Sequence, residues 1–402
     1  MRSLVISRWG SGRLDGGAAL RNTQNMAALA RLGPVDVITV DPSGNFPDTE
    51  PVHGTTEIGR YVPPPAFRIP GRWLLPGPYH KILRYTDSAL KGRLRSLSSD
   101  NYDLALIEEI SLSAYVHPLR TSGIHTVFDA HNVEARLWSD IGDTNATRKP
   151  GLAALRQHMF NTKLRRAEAA AVNSATYVWA CSDLDAQLIE QLYRPKNPVV
   201  VVPNAINVGA YAGVRQTRND TDPAAPPLLV YIGSYSYEPN EIAALRLMEG
   251  ILPSLRQAGT DLQLAIVGRD PTPAMLRVAA RDPTVTVTGA VDSILPYLAQ
   301  QSIAVMPITI GSGTRLKILE AFAAGCPIVS TAKGAEGITA RHNDNILIAE
   351  SDAEFVSAIL RLVKDPKFRS SLGQKGFETV SAGYSWEAAA IAVSNSLSGT
   401  PA

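Results

Sequence analysis

The sequence predicts an α/β protein with two domains, each a parallel sheet covered by helices on both faces. The chain has 402 residues, and one hydrophobic core rarely extends beyond about 250–300 residues. Short apolar runs alternate with helical patterns along almost the whole chain, which is typical of parallel sheets buried on both faces. The alternation is interrupted once, where Gly213 to Pro227 has the polar, proline-rich composition of a linker.

Each apolar run predicts a strand, and each stretch with a helical repeat between runs predicts a helix. In the first half, strands are expected at 4–7, 35–40, 104–107, 126–129, 177–180 and 199–202, and helices at 17–32, 76–98, 151–173 and 183–193. In the second half, strands are expected at 228–232, 262–267, 285–288, 303–307 and 328–330, and helices at 240–257, 272–281, 293–300, 314–324, 352–363, 366–381 and 385–397. We place the domain boundary within 205–225. Because such sheets bind ligands beyond the carboxyl ends of their strands, we expect a cleft between the two domains.

Composition excludes several classes of protein. The net charge of +2 gives no general attraction to nucleic acid. No run reaches the roughly 18 apolar residues that a membrane-spanning helix needs. Leu4-Val5-Ile6 is too short for a signal peptide. Only Cys181 and Cys326 are present, without a CxxC pair, which fits a reducing compartment. We therefore expect a cytoplasmic protein, or one bound peripherally to the inner face of a membrane.

The most informative segment is GSGTRLKILEA at 311–321, which follows a predicted strand and opens a helix. Glycines and a helix amino terminus let backbone amides bind an anion. Arg315 and Lys317 oppose the helix macrodipole in the first turn, and a bound diphosphate would reconcile that placement. Glu320 is suited to accept hydrogen bonds from a ribose diol. From the residues alone, a solvated basic turn remains an equal alternative.

Several segments together resemble a known family. The run GSGTRLKILEAFAAGCPIVSTAKGAEGI resembles the nucleotide-sugar site of the family four retaining glycosyltransferases, which have the GT-B fold, and most of all the subset with a Gly-x-Gly-Thr-Arg-Leu-Lys loop. The likeness extends to VVPNAIN at 201–207, YIGSYSYEPN at 231–240, LAIVGRDP at 264–271 and Tyr384-Ser385-Trp386.

The resemblance implies an organisation and an activity. It implies an acceptor-binding Rossmann-like domain over 1–205, a nucleotide-sugar-binding Rossmann-like domain over 206–382, and a C-terminal helix over 383–402 that crosses back to the first domain. It also implies a retaining hexosyltransferase that moves a sugar from a nucleotide-diphosphate sugar to a glycan, lipid-linked or small-molecule acceptor.

The resemblance also implies donor-binding residues in the second domain. The family has two glutamates seven residues apart; Glu320 matches the second, which holds the ribose, while Ser312 replaces the first, so the donor sugar is undetermined. The Arg and Lys that the family places after the first strand of this domain fall near Ser234 and Asn240. We therefore expect Arg315 and Lys317 to neutralise the diphosphate. The other expected donor contacts are Gly233, Ser234, Ser312, Gly313 and Thr314.

In the first domain, a glycine turn and a histidine are the main candidates. Gly16 and Gly17 lie between the first strand and a helix, where close backbone approach to a ligand is possible; a simple turn is the alternative. His131 follows a buried strand, and the resemblance gives it a catalytic, sugar-facing role instead of a structural one. Asn132 and Glu109 are weaker candidates for acceptor contact.

Between Arg60 and Arg95, basic residues greatly outnumber the single acid, Asp87, and aromatic residues and prolines interleave with them. The segment could contact an anionic membrane or hold an anionic acceptor, with Arg72 and Trp73 as candidate contacts. The helix expected at 151–173 could belong to the same surface. A solvated loop that packs its aromatics on its own domain is the alternative.

Asp183-Leu184-Asp185 matches the DxD pattern of some metal-dependent transferases, but it opens a predicted helix, where Ser182 or Asp183 as cap suffices. We expect no metal and no cofactor, with the nucleotide-sugar as co-substrate. Two rival functions stay open: a nucleotide-sugar epimerase of the same fold, and a non-catalytic nucleotide-sugar-binding partner.

Overall fold

The computed structural model describes the chain except for residues 11, 13–15, 47–48, 66–78, 139–150, 223–224, 311–315 and 399–402. The chain divides into two compact units. The first domain comprises Met1–Asn204 with Trp386–Ala402, and the second comprises Ala205–Ser385. Each domain contains one sheet whose strands all run parallel.

The first domain has a seven-stranded sheet in the order β3-β2-β1-β4-β5-β6-β7. Its strands are β1 Ser3–Ser7, β2 Val35–Val40, β3 Thr55–Tyr61, β4 Leu104–Glu108, β5 His125–Ala130, β6 Tyr177–Ala180 and β7 Val199–Val201. Its helices are α1 Gly17–Ala30, α2 His80–Arg84, α3 Ser88–Arg95, α4 Val116–Thr121, α5 Leu152–Ser174, α6 Asp183–Tyr193 and, at the end of the chain, α15 Trp386–Leu397, with a 3₁₀ turn at Ile110–Tyr115.

Side chains from β1 enter two different buried clusters. Leu4 and Ile6 belong to one cluster and Val5 to the other, because successive residues of a strand face opposite sides of the sheet. Both faces are therefore covered, which explains why the strands are continuous apolar runs. The C-terminal helix α15 contributes Ala390 and Val393 to the cluster that contains Val5, and it packs against α1.

The second domain has a six-stranded sheet in the order β10-β9-β8-β11-β12-β13. Its strands are β8 Leu229–Ile232, β9 Leu264–Val267, β10 Val285–Val287, β11 Ile303–Met306, β12 Ile328–Ser330 and β13 Leu347–Ile348. Its helices are α7 Ala212–Asp220, α8 Glu238–Arg246, α9 Leu252–Gln257, α10 Pro273–Ala279, α11 Leu295–Ala299, α12 Leu316–Ala323, α13 Asp352–Lys364 and α14 Pro366–Gly383, with a 3₁₀ turn at Val208–Tyr211 and a π-helical turn at Leu247–Ile251 between α8 and α9.

The stretch expected to be a linker is partly helical. Residues 212–220 form α7, and the buried Arg218 guanidinium on it donates to the carbonyls of Leu298 (3.0 Å) and Ser302 (3.2 Å). Composition misled here because the segment is polar, and its helix is fixed by one long cation that bonds to backbone carbonyls. The linker interpretation is therefore wrong for residues 213–220.

Other elements also differ from the sequence prediction, and α4 and β13 were not predicted. The helix expected over 76–98 is broken between α2 and α3, where the Asp87 carboxylate accepts from Leu90 N (2.8 Å) and begins a new helix. Strand β3 was not predicted, because it is a half-exposed edge strand without an apolar run.

Strand order reverses at one point in each sheet. The reversal lies between β1 and β4 in the first sheet and between β8 and β11 in the second. In open α/β sheets, ligands bind beyond the carboxyl ends of the strands at such a switch point. The residues that follow these four strands are therefore the first place to look for a site.

Candidate active site

In the second domain, Lys317 lies at the switch point. It is in the first turn of α12, which follows β11, and its Nζ donates to the Asn240 side-chain oxygen (2.8 Å) and to the Tyr231 hydroxyl (3.3 Å). The ammonium lies 4.6 Å from the centre of the Tyr231 ring. Asn240 is itself fixed, because its Nδ2 donates to the Ser234 carbonyl (2.9 Å). Lys317 is thus held beside the segment that follows β8.

Gly233 is necessary for this arrangement. A Cβ on Gly233 would lie 3.0 Å from the Asn240 side-chain nitrogen. A larger residue would push Asn240 away from its contact with Lys317. From the resemblance we expected Gly233 and Ser234 to contact the donor. In the structure both lie close to Lys317, with Asn240 between them.

Arg269 is a second cation at this edge, and sequence reasoning did not select it. It follows β9, and its Nε donates to the Ser234 side chain (3.3 Å). Its side chain is 54% exposed and lies 3.9 Å from the Asp270 carboxylate. The family's Arg and Lys positions fall near Ser234 and Asn240, which carry no charge. In the structure, Arg269 brings a cation to Ser234 and Lys317 brings one to Asn240. In the sequence, the signal for this residue is the Gly-Arg pair within LAIVGRDP at 264–271.

Glu320 lies one turn further along α12, on a partly buried face. The Tyr211 hydroxyl donates to it over 3.4 Å. Burial raises the pKa of the Glu320 carboxyl to about 7, although Tyr211 and Lys317 both lower it. This carboxyl group therefore changes charge near neutral pH and can bind hydroxyl groups most strongly when ionised.

Six of the predicted contacts lie outside the described residues: Ser312, Gly313, Thr314 and Arg315 of the donor loop, and Arg72 and Trp73 of the basic segment.

In the first domain, Gly16 and Gly17 begin α1 after β1. Gly16 has a φ of +118°, which L side chains rarely adopt, and open space surrounds the position of a Cβ. No side chain caps α1 within the described residues, so its first N–H groups can bind an anion. Both glycines are exposed.

Glu109 follows β4 at the other side of this switch point. Its φ of 63° and ψ of 163° lie in a region that is almost restricted to glycine, and such strain costs about 1–3 kcal/mol. Its carboxylate binds the Arg8 guanidinium (2.8 Å) and accepts from the Ser111 hydroxyl. Arg8 lies 4.5 Å from the centres of both the Trp9 and Tyr85 rings. Glu109 therefore belongs to an arginine-aromatic cluster.

A buried polar network lies beside His131. The Asp129 carboxylate accepts from Arg21 Nε (2.8 Å) and Nη2 (2.5 Å) and from Asn25 Nδ2 (2.9 Å). Arg21 also donates to the Val202 carbonyl (2.9 Å) and the Asn204 side chain (2.8 Å). Burial alone would raise the pKa of Asp129, but Arg21 and then His131 lower it more, so its pKa is below the ordinary value. Asp129 is therefore ionised.

His131 contacts this network from the carboxyl end of β5. Its Nε2 lies 3.1 Å from Asp129 Oδ2, and its side chain is 9% exposed. Glu108 pairs with Asp129 across the sheet. Burial and then the Asp129 charge raise the pKa of Glu108 well above the ordinary value, which favours the neutral form of Glu108 beside the ionised Asp129. Sequence reasoning missed Arg21, Asn25 and Asp129, although five consecutive polar residues in a helix, RNTQN at 21–25, could have indicated them.

The segment after His131 is also fixed. Asn132 donates to the Glu134 carboxylate (3.3 Å). Glu168 accepts from the backbone amides of Glu134 (2.7 Å) and Ala135 (3.0 Å) and from the Tyr193 hydroxyl (2.5 Å). Burial raises the pKa of Glu168 to about 7, against the lowering effect of these bonds.

A basic surface lies on α2 and α5. Burial lowers the pKa of His80, and the nearby charges of Lys81, Arg156, Arg84 and Lys163 lower it further. The Phe160 ring centre lies 5.2 Å from that of Tyr79 and 5.6 Å from that of His80, which joins the two helices. The structure therefore brings the two basic segments of the sequence together.

The Asp183-Leu184-Asp185 run begins α6. Ser182 caps this helix by accepting from Asp185 N (3.2 Å), and its hydroxyl donates to the Asp185 carboxylate (2.7 Å). Within the described ranges, no group of three side chains is placed to bind a metal. Among the same residues, no helix has both the length and the hydropathy that crossing a bilayer requires.

Two family models match the chain. One, described as a glycosyl transferase 4-like domain, matches residues 16–205, and the other, glycosyl transferases group 1, matches residues 226–365. Both domains are thus glycosyltransferase domains.

Curated relatives match part of the chain. A GDP-mannose-dependent alpha-(1-6)-phosphatidylinositol monomannoside mannosyltransferase of Mycobacterium tuberculosis is 30% identical over 165 residues, 38% of this chain and 43% of the relative. A GDP-mannose-dependent monoacylated alpha-(1-6)-phosphatidylinositol monomannoside mannosyltransferase of Corynebacterium glutamicum is 30% identical over 161 residues, 37% of this chain and 42% of the relative. The chain thus spans less than half the length of these relatives.

Solved structures match over nearly the whole chain. Sucrose-phosphate synthase of Thermosynechococcus elongatus superposes with a TM-score of 0.72, 19% identity and 98% coverage of both chains. Anabaena HepE in complex with UDP-glucose superposes with a TM-score of 0.66, 14% identity and full coverage of both chains. At this identity the likeness shows the fold, which is GT-B with two Rossmann-like domains, as the sequence resemblance implied.

Proposed function

We propose that this chain, whose two domains both match glycosyltransferase families, transfers a hexosyl group from a nucleotide-diphosphate sugar to an acceptor hydroxyl with retention of anomeric configuration. One observation carries the proposal. Lys317 brings a cation to Asn240 and Arg269 brings one to Ser234, and both of these positions follow β8 at a sheet switch point. A diphosphate is the ligand that two cations and a helix amino terminus bind best.

The remaining contacts fit the rest of the donor. The Glu320 carboxylate accepts hydrogen bonds from the ribose hydroxyls, and the Tyr211 hydroxyl orients that carboxylate. Gly16 and Gly17 offer backbone amides at the start of α1. His131 contacts the transferred sugar. The described contacts support these roles because each group lies at or next to the carboxyl end of a parallel strand or at the start of a helix.

The mechanism follows from where charge develops. The bond between the anomeric carbon and the diphosphate oxygen breaks, and the acceptor oxygen bonds to the same face of that carbon. The acceptor proton passes to the departing diphosphate oxygen. Lys317, together with Arg315 as the sequence predicts, stabilises the negative charge on the diphosphate. One such well-placed donor contributes about 3 kcal/mol to lowering the barrier.

The curated relatives favour a particular donor and acceptor. Their names specify GDP-mannose and a phosphatidylinositol mannoside. We take GDP-mannose as the first donor to test and a lipid-linked acceptor as the first acceptor class, with UDP-glucose, which HepE binds in its solved complex, as the second donor. The relatives and structures reported above include no epimerase.

A donor screen tests the proposal. GDP-mannose at about 100 times its Kd should raise the melting temperature by mass action, since it stabilises the folded state by about 2.7 kcal/mol. Release of GDP should require an acceptor, and the product should keep the donor's anomeric configuration. Full conversion of the donor without acceptor would indicate an epimerase, and binding without turnover in any acceptor extract would indicate a non-catalytic protein. Activity should persist in EDTA, because the proposed leaving-group stabilisation uses no metal.

The basic surface on α2 and α5 is proposed to contact an anionic membrane. Each basic residue close to such a surface contributes about 1 kcal/mol. The protein should sediment with phosphatidylglycerol vesicles at low salt and not at about 1 M salt. A Lys81→Ala, Arg84→Ala, Arg156→Ala variant should lose this binding, while Lys196→Ala, at another exposed position of the first domain, should keep it. Equal binding by the two variants would refute the assignment.

A further inference from the structure

A recess beside the first three strands of the first domain has no role in the proposed function. Arg8 and Trp9 follow β1, Phe46 follows β2, and Glu57 and Arg60 belong to β3. The recess, which we call the β1–β3 recess, is lined by these five residues and by Gly10, Thr39 and Asn45. Ligands of open α/β sheets bind at this edge, beyond the carboxyl ends of the strands. The β1–β3 recess is therefore a candidate substrate site.

The recess lies on the face of the sheet that α1 covers. Ser7 of β1 is the register partner of Thr39 in β2, and Asn22 of α1 donates to the Ser7 hydroxyl (2.7 Å). Because partners on neighbouring strands point to the same face, Thr39 points towards this face too. Its hydroxyl donates to the Glu57 carboxylate (2.7 Å). The recess is thus on the same side of the sheet as the glycine turn that begins α1.

Both guanidinium groups that line the recess already bind a carboxylate. Arg60 donates to Glu57 through Nε (3.0 Å) and Nη2 (2.9 Å), and Arg8 binds Glu109 (2.8 Å). These pairs leave the recess without a net positive charge. A phosphate group would have to compete with the two carboxylates for the same N–H groups. The recess therefore suits an uncharged ligand better than an anionic one.

The other groups of the recess fit a ring that carries hydroxyl groups. Trp9 and Phe46 are partly exposed, and aromatic rings pack well against the C–H groups of a sugar ring. Carboxylates accept hydrogen bonds from hydroxyl groups, and guanidinium groups donate to them. Arg8 Nε is buried and makes no hydrogen bond with a described residue, so it can donate to a ligand. Glu109, the partner of Arg8, has the kind of strained backbone that is concentrated at functional sites.

We propose that the β1–β3 recess binds the acceptor, and that it does so through an uncharged sugar or cyclitol ring and not through a phosphate group. The proposal rests on the proposed function, which requires an acceptor. The recess has room for about one water molecule. One hydroxyl group of the ring therefore enters it, within reach of the Glu57 carboxylate, while the ring lies against Trp9 and Phe46.

Saturation-transfer NMR on the full chain tests the ligand class without turnover. The probes are methyl mannoside and myo-inositol, compared with mannose phosphate and inositol phosphate. At least one uncharged ring should bind, and its phosphorylated counterpart should bind no more tightly. Absence of a signal from both uncharged rings, or at least about tenfold tighter binding of the phosphorylated ring, would overturn the proposal.

Glu57→Gln separates a binding role from a structural one. This change removes the proposed acceptor of the hydroxyl group and leaves Arg60 without its carboxylate. The uncharged ring should then bind about tenfold more weakly, while the phosphorylated ring should bind more tightly than it does to the wild type. Equal shifts of both affinities in one direction would refute the binding role. Glu190→Gln, at an exposed position of α6, is the matched control and should bind both rings as the wild type does.

Turnover shows whether the ring bound in the recess is the acceptor. With GDP-mannose as donor, free methyl mannoside and vesicles that contain phosphatidylinositol mannoside distinguish a free acceptor from a lipid-linked one. Trp9→Ala and Phe46→Ala should each raise the KM of the acceptor that is used by about tenfold and leave the donor KM unchanged. Circular dichroism checks their folding, and Phe46→Ala decides the matter if Trp9→Ala unfolds.

The two proposals can fail separately. If neither GDP-mannose nor UDP-glucose binds the wild type by calorimetry, the proposed function fails, and the acceptor role of the recess fails with it. If the donor binds and is turned over, but Phe46→Ala and Glu57→Gln both keep the acceptor KM of the wild type, only the assignment of the β1–β3 recess fails.

Discussion

If Glu320 binds the donor ribose, as we propose, donor binding depends on pH. Its pKa is raised to about 7 by burial, whereas a diphosphate diester such as that of GDP-mannose does not titrate near neutral pH. If the ionised form binds the ribose hydroxyls, donor binding needs the carboxylate, and lowering the pH protonates it. With a pKa near 7, the ionised fraction is about tenfold smaller at pH 6 than at pH 8. The Kd for GDP-mannose should therefore rise about tenfold over this range, which is about 1.4 kcal/mol.

Isothermal titration at pH 6, 7 and 8 measures this effect. Glu320→Gln should bind more weakly than the wild type at pH 8 and show no such pH dependence, because its amide does not titrate. Glu378→Gln, on an exposed face of α14, is the matched control and should follow the wild type. The same pH dependence in Glu320→Gln as in the wild type would refute the assignment of the titrating group.

Three further predictions follow from the other contacts. Lys317→Met should lower kcat/KM about 100-fold. The double variant Lys317→Asn, Asn240→Lys should have a kcat/KM at least about tenfold higher than that of Lys317→Asn alone, because the two side chains meet at one point. An unchanged kcat/KM in the double variant would refute the shared location. Arg269→Ala should raise the donor KM more than it lowers kcat, and an unchanged KM would exclude Arg269 from the donor site. Glu168 is 4% exposed and has a pKa of about 7. Because the folded state keeps this proton to a higher pH than the unfolded state does, the free energy of unfolding should fall by about 3 kcal/mol between pH 4.5 and 7 from this group. Urea titrations of Glu168→Gln should lack that part of the pH dependence.

The sequence located the regular elements with small errors. Strands such as β2 at Val35–Val40 and β12 at Ile328–Ser330 coincide with the predicted apolar runs, and α6 at Asp183–Tyr193 coincides with its predicted helix. These elements are set by burial on both faces and by local capping, which are properties of adjacent residues. Among the elements that were missed, β3 is a half-exposed edge strand, α7 is polar and fixed by the Arg218 contacts, and α4 and β13 are short.

The sequence by itself determined the fold class, the resemblance to glycosyltransferases and the position of the candidate histidine, because these depend on periodicity and on motifs that are contiguous in the chain. Only the tertiary structure revealed that Arg269 reaches Ser234, that Lys317 reaches Asn240, and that Arg21 binds Asp129 beside His131. The contacts of Arg269 with Ser234, of Lys317 with Asn240 and of Arg21 with Asp129 join residues 35 to 108 positions apart. Parallel strands bring their carboxyl ends to one edge whatever their separation along the chain, so the partners of a charged side chain are decided by strand order and not by local sequence.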